Sequence, residues 1–328
     1  MHDDAPGPVA ALDCGTNSTR LLVVSASGAA LERQMRITRL GEGVDATRTL
    51  SPEAVSRTVS VLGEYRRIMD HHGVSRARLV ATSAARDATN AASFLSAAEE
   101  VTGVHPEILS GFEEGALSFA GATATVPAER VGPGPVLVVD IGGGSTELAA
   151  GDVAPGGPRR QVVSAEPVVS AEPAVSAVSL DVGCVRVTER FFGHDPPRAE
   201  ELVEARRVVD AELDGARHRL PALAPGGLLI GLAGTVSTLA ALEQRLDHYE
   251  RAAIHHAVLS RRQVEHWCET LAAEDRRARM ARPGMVEGRA DVIVGGVLIL
   301  EAVMERFGRD ECLVSEDDIL DGLTASLL

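Results

Sequence analysis

Lysine is missing altogether from this 328-residue chain, so all 32 residues of the Lys+Arg total are arginines. That excludes a Walker phosphate loop, whose lysine reaches the β- and γ-phosphates, and it excludes lysine Schiff-base chemistry. Any phosphate site must then be built from backbone amides, arginine and metal. Cysteine is sparse too. Cys14, Cys184, Cys268 and Cys312 are too scattered for a Cys-x-x-Cys pair or a zinc spacing, and they read as buried free thiols. No apolar run approaches the roughly 18–20 residues of a membrane span. The acidic start, Met1-His2-Asp3-Asp4, lacks the basic residues of a secretory signal. A soluble, cytoplasmic protein that does not engage membranes is the expectation. Positive charge is in deficit as well: a net charge of −15 argues against broad nucleic-acid binding.

What is present is ordinary for a globular protein, 45% hydrophobic and 24% charged. The length suggests two domains of roughly 100–200 residues. Val9 to Leu12 and Arg20 to Val24 are strand-like runs around a polar turn, which predicts a hairpin. Ser51-Pro52 reads as an N-cap followed by proline at the first helical position, and Val55, Val59, Leu62, Tyr65 and Met69 continue at helical spacing. Further along come a strand at 78–82, a helix from about Asn90, a strand at 107–110 and a helix opening at Glu113. Strands alternating with helices predict an α/β fold.

Between Thr123 and Pro135 the chain turns rich in Pro and Gly, so the domain boundary is placed there, giving domains 1–128 and 129–328. Val136 to Val139 then runs into Asp140-Ile141-Gly142-Gly143-Gly144-Ser145-Thr146, and the two halves begin alike. A six-residue repeat at 163–168 and 169–174 reads as an expanded surface loop rather than a β-helix. Gly231 to Thr235 reads as a glycine loop after a strand at Gly227–Ile230 and before a helical run from Val236. It could host a nucleotide base or simply pack a helix closely on a sheet. Arg289 could reach a cleft or pair with Asp291; His255 and His256 are taken as non-catalytic; Ser315 to Asp318 reads as a capped helix start.

The chemistry lies in the paired turns. Gly15, Thr16, Asn17 and Ser18 form one, and Gly142, Gly143, Gly144, Ser145 and Thr146 the other. Such turns present consecutive backbone N–H groups and hydroxyls that can wrap phosphate oxygens without a lysine. A single glycine turn after a strand is usually a plain hairpin. Two, each following the opening strand of a half and each preceded by an aspartate, predict duplicated halves that clamp a phosphate chain between them.

Seven blocks, in order, make the chain resemble the exopolyphosphatase and guanosine pentaphosphate phosphohydrolase family of the actin/Hsp70/sugar-kinase superfold. They are Ala11 to Ser18, Ala81 to Ala88, Leu109 to Ala116, Val139 to Leu148, Ser179 to Arg186, Gly231 to Thr235 and Gly288 to Ile293. Thr16 stands where the family often has Ser, and Gly115 where Ala is common. The resemblance implies two ribonuclease-H-like domains with an interdomain cleft. It implies a substrate of polyphosphate or guanosine polyphosphate, with ADP, ATP or guanosine tetraphosphate binding as a sensor alternative. A homodimer is the base-rate expectation.

The resemblance also implies roles. Glu114 would position or deprotonate the attacking water; on residue chemistry alone, Glu113 and Glu114 could merely open a helix. Asp140 and Glu147 would hold Mg²⁺ or Mn²⁺, with Asp13, their symmetric counterpart, as a further metal or water ligand. Arg86 would clamp phosphate through its forked donors. Short chains or a nucleotide suit the chain length better than very long polymers.

Overall fold

The computed structural model describes residues 7–153, 175–220, 223 and 226–328, so the six-residue repeat lies outside the described residues. The first half runs β1 (Val9–Cys14), β2 (Ser18–Val24), β3 (Ala30–Ile37), α1 (Val44–Thr47), α2 (Pro52–His71), β4 (Arg76–Ala81), α3 (Ser83–Asp87), α4 (Ala91–Thr102), β5 (Pro106–Ile108) and α5 (Gly111–Thr123). The second begins with β6 (Val136–Ile141), β7 (Thr146–Gly151), β8 (Val175–Leu180), α6 (Cys184–Phe191), α7 (Ala199–Arg217), β9 (Leu229–Leu232) and α8 (Ala233–Glu243). It closes with α9 (Arg251–Ile254), β10 (Val258–Ser260), α10 (Arg261–Ala272), α11 (Arg276–Met280), α12 (Ile293–Arg306), β11 (Glu311–Val314) and α13 (Ile319–Ala325).

The first sheet has the order β3-β2-β1-β4-β5, antiparallel across β3, β2 and β1 and parallel beyond. The second repeats it as β8-β7-β6-β9-β11 and adds β10 antiparallel on the outer edge. The ribonuclease-H-like pattern thus occurs twice. The three-residue β10 makes the second sheet six-stranded, and so short a segment has no periodicity to read. The central strands β1 and β6 are buried throughout, which is why they read as unbroken apolar runs.

Local signals set most helix starts. The Ser51 hydroxyl accepts from the Ala54 N–H and Pro52 opens α2, whose Leu62, Tyr65 and Met69 are buried. α5 starts two residues before the expected Glu113: Ser110 caps it, and Glu113 closes a capping box by accepting the Ser110 N–H at 2.8 Å. The short α3 was not foreseen. The expected loop at 231–235 is corrected: Gly231 and Leu232 finish β9, and Ala233, Gly234 and Thr235 are already the first turn of α8.

Two helices join the sheets. α13 packs Ile319, Leu320 and Leu323 against Val9, Ala11, Leu22 and Val80 of the first sheet and Leu117 of α5. α5 also turns Phe119 and Ala122 onto Val136, Val138 and Ile230 of the second. α5 and α13 touch at glycine: a Cβ on Gly322 would fall on the Leu117 carbonyl. The end of the chain therefore closes over the sheet with which it began.

Candidate active site

The two hairpins superpose residue for residue. In the first, Asp13 pairs across to Arg20 and Cys14 to Thr19; in the second, Asp140 pairs to Glu147 and Ile141 to Thr146. Each leaves a four-residue turn, Gly15–Ser18 and Gly142–Ser145. The turns face each other in contact. A Cβ on Gly143 would lie 2.9 Å from Thr16 Cβ and 3.1 Å from the Asn17 nitrogen, and one on Gly144 would lie 2.8 Å from Thr16 Oγ1. Side chains of the first turn occupy the spaces that glycines leave in the second.

Each turn has its carbonyls held from behind. The Thr38 and Arg39 N–H groups donate to the Asn17 carbonyl at 3.1 and 3.0 Å, and the Gly41 N–H to Thr16 at 2.9 Å. On the other side the first N–H groups of α6 do this: Cys184 donates to the Gly142 carbonyl, and Val185 and Arg186 to that of Gly143. Behind the first turn, Thr16 Oγ1, Asn17 Nδ2 and Asp13 Oδ1 are buried with no protein partner. Buried polar atoms are normally satisfied, so these three atoms mark where a bound group would make its contacts. Ser18 and Thr146 open β2 and β7; the Thr146 hydroxyl donates to the Val182 carbonyl at 2.5 Å and so points into the fold.

The carboxylates converge on these turns. Asp13 accepts from Arg20 at 2.6 Å, and Arg20 also reaches Asp318. Asp140 accepts from the Ser118 hydroxyl at 2.7 Å, and Glu147 from the Ser179 hydroxyl at 2.7 Å. Burial pushes Asp140 up to about 6. Burial, with the Asp140 charge added, pushes Glu147 up to about 7. Glu114, 9% exposed on α5, is raised well above the usual carboxylate range by burial and then by Glu147; Arg86 opposes the shift from 3.2 Å. Among the described residues no three His, Cys, Asp or Glu side chains close on a common point. A cation here would take hard oxygens from one or two carboxylates and complete its shell with water and phosphate, the habit of Mg²⁺.

Arg86 sits in the last turn of α3, where a cation is favoured. Its Nη1 also donates to the Leu109 carbonyl at 2.8 Å. The proposed Arg289 pair with Asp291 is corrected, because Asp291 is taken by Arg39 and Arg276. Arg289 instead lies against Gly234, with its pKa lowered by burial. His255 and His256 stack on each other, ring centroids 3.7 Å apart. Asp318 does cap α13, accepting from the Leu320 N–H at 2.9 Å, but it serves Arg20 as well.

Arg20, Ser118 and Ser179 were not singled out from the sequence, and Asp318 was read only as part of a helix cap. Ser118 was within reach, lying four residues after Glu114 on one helix face. Arg20 could have been found by aligning the two hairpins, which sets it opposite Glu147. The Arg20 to Asp318 pair spans 298 residues and has no local signal.

The model of the Ppx/GppA phosphatase family matches residues 23–328. The chain belongs to that family. Exopolyphosphatase 2 of Mycobacterium tuberculosis is 40% identical over 336 residues, covering 97% of this chain and 98% of the relative. Among solved structures, an exopolyphosphatase-like protein superposes with a TM-score of 0.85 at 33% identity, covering 98% of each chain. The Ppx/GppA enzyme of Aquifex aeolicus follows at 0.76 and 30%, covering 98% and 99%. These Ppx/GppA structures cover both sheets, so the α/β fold is shared end to end. No helix among the described residues is long and apolar enough to cross a membrane.

Proposed function

We propose that this Ppx/GppA protein is an exopolyphosphatase that removes the terminal phosphate of inorganic polyphosphate. One observation carries the reading: two phosphate-type turns abut, and Glu114 is buried beside them against Arg86. The substrate end would lie between the turns, its oxygens taking the N–H groups and the unpartnered Thr16 and Asn17 atoms. Glu114 would hold the attacking water and accept its proton, its raised affinity for protons favouring that transfer. Arg86 would orient Glu114 and offer its remaining donors to the phosphate.

Asp140 and Glu147 fit a divalent cation, Mg²⁺ or Mn²⁺, because they are opposed buried carboxylates that form no salt bridge among the described residues. When bound it would neutralise charge on the phosphoryl group. Asp13, with one oxygen on Arg20 and the other free, would orient a water of its shell.

Phosphate release should be compared on short polyphosphate, long polyphosphate and guanosine pentaphosphate at equal phosphate concentration, with and without Mg²⁺. Mg²⁺-dependent release from polyphosphate is expected. Release from guanosine pentaphosphate alone would move the assignment to a nucleotide phosphohydrolase, and tight ADP, ATP or guanosine tetraphosphate binding without any turnover would make the protein a sensor.

A further inference from the structure

Arg186 belongs to one of the sequence blocks yet has no part in the chemistry above. It is 9% exposed on the first turn of α6, and its three nitrogens go to three different places. Nε donates to the Gly144 carbonyl of the second turn at 2.7 Å. Nη1 pairs with Asp45 of α1 and Nη2 with Asp87 of α3, both in the first half. One turn further along α6, both carboxylate oxygens of Glu189 lie 3.3 Å from the Gly43 N–H at the start of α1. The half-open pocket lined by Thr16, Gly41, Asp45, Ser83, Asp87 and Arg186 offers only about 10 Å³, room for about one water. α6 therefore holds the second turn by its backbone and the first half by its side chains.

Asp87 follows Arg86 directly on α3. The same five-residue helix is pulled outward by Arg186 and reaches inward to Glu114. Guanidinium suits this task because its planar fork can serve several acceptors at fixed angles, which an ammonium cannot.

We propose that Arg186 is a positioning residue: by bridging the second phosphate turn to Asp45 and Asp87 it latches the cleft shut and sets Arg86 and Glu114 against the turns. This rests on the exopolyphosphatase reading for its kinetic part alone; the closure itself is read without substrate. Substrate must enter with the latch open, so opening belongs to the catalytic cycle.

The test compares wild type with R186A, R186K and the D45N/D87N double variant, by steady-state phosphate release and small-angle X-ray scattering. R186A should lose kcat by about 100-fold, the scale of a misplaced catalytic group, with KM changing far less, and its radius of gyration should rise. R186K should recover only part of the loss. D45N/D87N keeps the bond to Gly144 and strips the charge from both arms across the cleft, so it should slow turnover and enlarge the radius in the same direction even if R186A fails to fold. Wild-type kcat and radius in D45N/D87N would overturn the latch. Should wild type release no phosphate from any polyphosphate, the proposed function fails, while an unchanged radius in the double variant would still decide against the latch and an increase for it.

Discussion

The two hairpins share a register and differ at one decisive position. Opposite Asp13 the first hairpin carries Arg20, and opposite Asp140 the second carries Glu147. Directly opposed residues on antiparallel strands lie on one face within reach of each other. In the first half the aspartate is bonded to a built-in cation, although burial still raises it. In the second, two carboxylates face each other in a buried place: burial raises both, the Asp140 charge raises Glu147 further, and Arg20 only partly offsets the shift of Asp140. Duplication supplied the frame, and a single change of sign separates an ion pair from two facing carboxylates, the pair to which the proposed function assigns a cation. The turns differ in complementary fashion: Thr16 and Asn17 of the first correspond to Gly143 and Gly144 of the second, so one half has side chains where the other has room.

The largest effect should come from Glu114, which has no counterpart on the other side of the cleft. E114Q keeps the shape and the Arg86 contact and should lower phosphate release by about 100- to 10,000-fold, as for loss of a general base. Unchanged thermal unfolding alongside near-normal turnover would remove Glu114 from the mechanism. Next, the aspartates should respond unequally. D140N should cost about 100-fold in turnover, the equivalent of about 3 kcal/mol, and raise the Mg²⁺ concentration needed for half-maximal rate. D13N should lower the melting temperature while moving that Mg²⁺ midpoint little, because it leaves Arg20 with only Asp318. Equal Mg²⁺ midpoints in the two variants would abolish the asymmetry.

G144A tests the fit of the turns. Its Cβ would come 2.5 Å from Ser83 Oγ and 2.8 Å from Thr16 Oγ1, so these hydroxyls must rotate away or the halves part. A loss of about tenfold or more in kcat/KM is expected, in keeping with displaced binding groups; a wild-type value would mean the turns need not touch. The smallest effect is on stability against pH. Asp140 titrates at about 6 and Glu147 at about 7 in the fold, against about 4 in an unfolded chain. The folded protein then holds more protons than the unfolded one across that interval. Without metal, these two groups make stability fall as pH rises from about 4 to about 7. Mg²⁺ should raise the melting temperature at pH 8 and hardly at pH 5, and D140N should flatten the slope. A Mg²⁺ response equal at both pH values would count against a site at this pair.

Much of the fold was legible because its signals are local. Ser51-Pro52 announces α2, the buried β1 and β6 read as apolar runs, and the repeated Asp-x-Gly turn announces the duplication. Boundaries shifted where the signal was shared: Ser110 rather than Glu113 starts α5, and Ala233 starts α8 with no intervening loop. Small elements such as α3 and β10 are too short to carry a period. At the candidate site, Glu114, Asp140 and Glu147 were named through motif resemblance, whereas Arg20, Ser118, Ser179 and the Arg20 contact of Asp318 came into view only with their neighbours.

By itself the sequence determined that phosphate could be held only by amides, arginine and metal, since it has no lysine, and that the holding turns come as a pair. Whether those turns meet, and which carboxylates lack a cation, was decided by tertiary structure. Charge pairing depends on distances between residues as far apart in the chain as Arg20 and Asp318, or Asp45 and Arg186. Burial then fixes how strongly each unpaired charge is felt, and burial is a property of the folded whole.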